Sequence, residues 1–173
     1  MRSSLPYRSF ILCISLLFLA HRLDAQVSNV LPIGPSGGIV NVVRGMSNDS
    51  IVLAGTKYNG VFRSLDGGVT WSQTLSNAVS VNDIVFHPTT PLTVYAATQS
   101  GLFVSYNGGA SWSLSSLTTP TSTVAIYVYD PLIMFAGDDR PTSQGSNGVL
   151  KTTDGGLTWT AVSASLKASK TIT

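Results

Sequence analysis

Few side chains in this sequence have the chemistry to bind or catalyse, and their distribution narrows what that chemistry is. Asp138, Asp139 and Arg140 stand side by side in a chain with only 10% charged residues. Such a cluster reads either as a site of polar ligand recognition or as a solvated loop with local ion pairing. Tyr58 lies in a second loop, Lys57 to Asn59, as a ring that could stack on a sugar or simply as an exposed loop tyrosine. His87 precedes Pro88 without a companion ligand, which reads as a turn. The chain contains no glutamate, so a common catalytic acid/base is missing. Its single cysteine, Cys13, falls in the N-terminal leader, which leaves no internal disulfide and no thiolate metal site. No metal and no cofactor are expected.

The leader is read from its order of segments. Arg2 and Arg8 precede an apolar run, Phe10 to Ala20, and a short polar stretch ends at Ala25. Residues 1–25 are therefore expected to be a secretory signal peptide. The run is shorter than the roughly 20 apolar residues of a spanning helix, although an uncleaved anchor would share its features. The protein is thus expected outside the cytoplasm, in the periplasm or at the cell surface, with no membrane span after cleavage. Without the leader, seven Lys/Arg face seven Asp, so the sequence pI near 8.8 is mostly the leader's. No basic tract remains to bind nucleic acid.

The elements that must position these residues emerge from self-comparison. Gly60 to Trp71 (GVFRSLDGGVTW), Gly101 to Trp112 (GLFVSYNGGASW) and Gly148 to Trp159 (GVLKTTDGGLTW) align residue by residue. The tryptophans are 41 and 47 residues apart, and a loop insertion near Arg140 to Ser146 accounts for the longer interval. Two strand-like runs precede each segment: 39–43 and 51–56, 82–86 and 93–98, 124–129 and 132–137. With a strand on each side of the Gly-Gly pair, every unit has four strands. Four-stranded units repeating at 40 to 50 residues predict an all-β propeller fragment. Blades are expected at about 38–76, 79–117 and 123–163, after a linker at 26–37. Ile84, Ala125 and Ile172 each lie 13 residues after a tryptophan. That spacing predicts the start of a fourth blade at 167–173, with further blades or self-association needed to close the ring.

The three segments resemble the Asp-box, or bacterial neuraminidase repeat, family, and the likeness spans about residues 38–165. The resemblance implies a hairpin between a blade's third and fourth strands, and a structural rather than catalytic role for its residues. Those residues here are Ser64, Asp66, Gly68 and Trp71; Ser105, Asn107, Gly109 and Trp112; and Thr152, Asp154, Gly156 and Trp159. The glycines supply positive φ, the Asp or Asn oxygen accepts backbone N–H bonds across the turn, and each tryptophan is expected to bury a large apolar surface.

The family includes sialidases, xyloglucan-cleaving hydrolases, sortilin-type receptors and photosystem assembly factors. Sialidases of this kind use three arginines, a tyrosine and a glutamate; here Arg44, Arg63 and Arg140 are present without a glutamate. The first blade is similar to that of the xyloglucan-cleaving enzymes. There a catalytic Asp follows the Thr of the connection between strands two and three; here Lys57 follows Thr56, and a lysine cannot serve as a glycosidase carboxylate. The expected ligand face is the end carrying the second-to-third connections: Lys57 to Asn59, Gln99 to Ser100 and Asp138 to Asn147. The expectation is a secreted, non-catalytic binding or scaffold module for a carbohydrate or protein ligand, using Tyr58, Asp138, Asp139 and Arg140. The alternative is a fragment of a glycoside hydrolase.

Overall fold

Runs rich in Val, Ile, Thr and aromatic residues, separated by Gly, Asn, Asp and Pro, fold as short strands joined by tight turns. The computed structural model describes residues 38–46, 50–76, 79–146 and 148–162. The expected leader, the linker and the 167–173 stub lie outside the described residues. Twelve strands form three antiparallel sheets, each a meander in chain order. Blade 1 holds β1 (Val40–Gly45), β2 (Val52–Thr56), β3 (Val61–Ser64) and β4 (Ser72–Leu75). Blade 2 holds β5 (Val81–Phe86), β6 (Val94–Thr98), β7 (Gly101–Ser105) and β8 (Ser113–Leu114). Blade 3 holds β9 (Thr121–Ile126), β10 (Met134–Asp138), β11 (Val149–Thr152) and β12 (Thr160–Ala161). Among the described residues the helical element is one 3-10 turn, Thr142–Gln144.

The blades stack face to face, with β1 beside β5 and β5 beside β9. The strands alternate accordingly. In β6, Val94 and Ala96 enter the core shared with blade 1, and Tyr95 and Ala97 enter the core shared with blade 3. All five residues of β6 are buried, because the middle blade is covered on both faces. In β10, Met134 and Ala136 are buried in the blade 2–3 core, while Phe135 is exposed under Lys151. Phe135 occupies the register position of Tyr95, so its face is where a further blade would pack. Fully buried Leu53, Ile84, Leu102 and Met134 anchor these cores, at roughly 1.5–3 kcal/mol each.

A second set of contacts runs along the inner strands. Each carries a β-bulge near its start: between Val40 and Val42, between Val81 and Asp83, and opposite Gly137/Asp138 in β9. The bulge turns one side chain sideways. In blade 1 Asn41 Nδ2 donates to Val81 O at 3.0 Å, and in blade 2 Asn82 Nδ2 donates to Thr121 O at 2.9 Å. In blade 3 the counterpart, Ser122, bonds Gly137 O of its own sheet. Asp83 joins all three blades: it pairs with Arg44 at 3.2 Å and accepts from Thr123 Oγ1 at 2.9 Å and Val124 N at 3.3 Å.

The first strand of the third unit begins three residues earlier than expected, at Thr121 rather than Val124. Tyr127 to Tyr129 and Leu132 to Ile133, expected as strand ends, fold instead as the connection, with Tyr127 N bonded to Ile133 O and Asp130 turning the chain before Pro131. The blade 2–3 crossover is also one residue shorter than 13-residue spacing implies. Val124, opposite Ala136, is the partner of Ile84, opposite Ala96. Ala125 points to the other face and is exposed, as a one-residue shift in a strand requires.

Candidate binding face

The Gly-Gly hairpins fix one end of the molecule. Ser64 Oγ donates to Asp66 Oδ1 at 2.7 Å and accepts from Gly68 N at 2.8 Å. Asp66 in turn accepts from Thr70 N at 2.8 Å and Thr70 Oγ1 at 2.6 Å. Thr152, Asp154, Gly156 and Thr158 repeat the arrangement. In blade 2, Ser105 and Gly109 keep it, but Asn107 Nδ2 donates to Ser111 Oγ where an Asp oxygen would accept. Both glycines of each pair have φ between 67° and 98°, which explains why no side chain is placed there. Hydrogen bonds from Thr70 and Ser64 lower the Asp66 pKa to about 2, and those from Thr152 and Thr158 lower that of Asp154 to about 2. The oxygens of both carboxylates are committed to hydrogen bonds that close the turn. Each hairpin also bonds the first-to-second connection of its own blade, with Gly108 N on Leu92 O and Gly155 N on Leu132 O.

The tryptophans differ from expectation. Trp71, Trp112 and Trp159 are half-buried rather than core residues. Trp112 packs against the blade 1–2 core and Trp159 against the blade 2–3 core. Their indole N–H groups reach hairpin carbonyls, Gly68 O for Trp71 and Gly156 O for Trp159, or Thr74 Oγ1 of blade 1 for Trp112. A tryptophan that must keep its N–H satisfied sits at the edge of a core rather than inside it.

The opposite end carries the second-to-third connections, and its geometry is also periodic. Lys57 N donates to Ile39 O, Gln99 N to Ser80 O and Asp139 N to Pro120 O, each between 2.8 and 3.1 Å. Three consecutive blades therefore present a cation, an amide and an anion at one register position, all three side chains exposed. The residue before each is buried and closes the turn. Thr56 Oγ1 donates to Gly60 O and Thr98 Oγ1 to Gly101 O. In blade 3 the residue is Asp138, whose side chain is 0% exposed and whose N–H bonds Gly148 O.

Asp138 holds Arg140 through Nε at 3.0 Å and Nη2 at 2.7 Å, so the cluster contains the local ion pair that one reading of the sequence predicts. These hydrogen bonds raise the Arg140 pKa above its ordinary value. Asp139, Arg140 and Gln144 then line a shallow cleft of about 280 Å³ with Gln99, Pro120 and Pro141. Tyr58 is 56% exposed, with Lys57 Nζ 5.2 Å from its ring centre; it does not line this cleft. Gln144 is the residue that sequence reasoning missed. The signal for Asp139 lay in aligning Gly55-Thr56, Ala97-Thr98 and Gly137-Asp138, which makes Asp139 the counterpart of Lys57.

The three arginines do not converge. Arg44 pairs with Asp83, Arg63 Nε donates to Gly108 O in the next hairpin, and Arg140 lies at the other end on Asp138. His87 accepts at Nδ1 from Thr90 N at 3.1 Å, a turn role, and burial lowers its pKa. Among the described residues no cluster of three His, Cys, Asp or Glu could hold a metal, and no helix is long and apolar enough to cross a membrane.

No protein-family model matches the chain, and no curated protein matches it. Solved structures do. An ancestral GH74 enzyme superposes with a TM-score of 0.60 at 21% identity, covering 73% of this chain and 18% of that one. The GH74 enzyme of Niastella koreensis gives 0.55 at 23% identity, covering 71% and 22%. YCF48 bound to D1 peptide gives 0.55 at 17% identity, covering 74% and 40%. The chain spans less than half the length of each of these structures. At these identities the likeness concerns the fold, and with the three sheets it shows that this chain folds as a partial β-propeller of three blades.

Proposed function

We propose that this chain is a non-catalytic recognition or scaffold segment of an exported Asp-box propeller protein, and that its loop end takes a carbohydrate or protein ligand. The observation that carries the reading is the convergence of Gln99, Asp139, Arg140 and Gln144 on one open cleft between adjacent blades. These side chains supply amide, carboxylate and guanidinium groups suited to hydroxyls or peptide groups. The reading also draws on YCF48, whose structure holds the D1 peptide on a fold of this kind.

A second reading, a fragment of a glycoside hydrolase, has a specific observation in its favour. Asp139 stands in blade 3 at the counterpart of Lys57, the blade 1 position to which the resemblance to xyloglucan-cleaving enzymes gives a catalytic Asp. A two-carboxylate mechanism needs a second acid about 5–9.5 Å away. Among the described residues Asp138 is the adjacent acid, and it is committed to Arg140.

Incubating the full chain with xyloglucan oligosaccharides separates the readings. Reducing-end release abolished by Asp139→Asn would establish the hydrolase. Saturable amide shifts at Gln99, Asp139 and Gln144 without release support recognition of carbohydrate. The same shifts with a peptide library, and none with the oligosaccharides, support recognition of protein.

A further inference from the structure

The two spaces between blades at the hairpin end differ in a way the repeat makes measurable. Between blades 1 and 2 the hairpin is pressed against its neighbour. A Cβ on Gly109 would meet Leu53 Cδ2 at 2.6 Å, and one on Gly108 would meet Ile51 Cδ1 at 3.0 Å. Arg63, on β3, crosses this space and donates from Nε to Gly108 O at 2.8 Å. Between blades 2 and 3 the contact is looser: Ser116 Oγ of blade 2 donates to Gly156 O at 2.7 Å, but no side chain is pressed against the hairpin glycine. A Cβ on Gly156 would meet only its own hairpin's Trp159, at 3.7 Å.

The residue in register with Arg63 is Val104, too short to cross. A groove of about 270 Å³ remains, lined by Tyr95, Leu102, Val104, Tyr106 and Ser115 on one side and Gly155 to Leu157 on the other. Gly155 is the counterpart of Gly108, and its carbonyl accepts no hydrogen bond from the described residues. The charges also differ: the hairpin that receives Arg63 carries neutral Asn107, whereas the hairpin of the open groove carries ionised Asp154. Burial, and to a lesser degree Tyr106 nearby, raise the Tyr95 pKa above its ordinary value.

We infer that this groove accepts an arginine side chain from a partner protein, seated as Arg63 is seated one blade earlier. The guanidinium would donate to Gly155 O beside the ring of Tyr106, and its methylene stem would lie along exposed Leu157 and the edge of Val104. Aromatic rings and an unpaired carbonyl suit a weakly hydrated, planar cation better than an ammonium. The groove lies at the hairpin end, away from the cleft at Asp139, so this inference stands apart from the proposed function.

The test is titration of the 15N-labelled full chain with acetyl-Gly-Arg-Gly-amide, using the same peptide with norleucine as comparator. Saturable shifts at Tyr106, Ser115 and Gly155 are expected for arginine, with binding about tenfold weaker for norleucine, the size of one charge-assisted contact. Val104→Arg would supply the occupant from within the chain and abolish the shifts. Arg63→Val would open the first groove and add shifts at Gly108. Equal shifts with norleucine, shifts confined to other residues, or undiminished binding by a folded Val104→Arg protein would each overturn the proposal.

Discussion

Replacing Gly109 and Gly156 by alanine, separately, gives a matched measurement of how tightly successive blades press together. Both glycines are second in their hairpin pair, and both have left-handed backbone, φ 82° and 91°. Alanine pays about 1–2 kcal/mol for that conformation at either site. Only at Gly109 does the new methyl enter a neighbouring blade, 2.6 Å from Leu53 Cδ2 and 3.0 Å from Cδ1. Leu53 is fully buried among Val61, Ile84 and Val94, so it has no free space to swing into. Overpacking of this kind adds about 1–3 kcal/mol. Gly109→Ala should therefore cost about 2–5 kcal/mol and Gly156→Ala about 1–2 kcal/mol. Guanidinium unfolding followed by tryptophan fluorescence reads the difference, since the three indoles sit in the hairpins. Equal midpoints for the two variants would refute the argument, because they would mean that blade 1 does not back the second hairpin.

Asp66 and Asp154 have folded pKa values near 2, below the usual 3.8, so they stabilise the fold above about pH 4 and lose that contribution as pH falls towards 2. The double variant Asp66→Asn/Asp154→Asn should keep its hairpins, as Asn107 does, and show a shallower loss of stability over that window in acid unfolding curves. Asp83→Ala should cost about 1–3 kcal/mol by leaving Val124 N and Thr123 without their acceptor, whereas Arg44→Ala, on an exposed partner, should cost under about 1 kcal/mol; urea midpoints distinguish them. Asp138→Thr restores the turn residue of the other two blades, so the fold should persist by circular dichroism while Arg140 loses its ion pair. The Arg140 side-chain NH signal would then broaden by exchange with water.

What could be read from the sequence follows the strength of local signals. Glycine pairs at fixed offsets from Ser/Thr and Trp gave the hairpins, because positive φ at two successive positions admits few residues. The four-strand units followed from alternation and turn residues. Tyr127 to Tyr129 misled because strand propensity there was outweighed by Asp130-Pro131, which turns the chain. The tryptophans were expected deeper than they lie, since their N–H groups tie them to turns at the blade edge. Asn41 and Asn82 gave no signal at all: an asparagine in a strand looks like an ordinary solvent-facing residue until a bulge turns it sideways. Asp138 was read with its neighbours as one charged patch. Only the register of the strands separates it, as the buried counterpart of Thr56 and Thr98, from Asp139 and Arg140 at the cleft.

Side-chain amide NOEs of Asn41 and Asn82 test the stacking of the sheets most directly. The account predicts contacts from Asn41 Hδ2 to Val81 and from Asn82 Hδ2 to Thr121, together with one from the Trp112 indole N–H to Thr74. Normal cross-strand NOEs within each sheet, with none of these three between sheets, would contradict it.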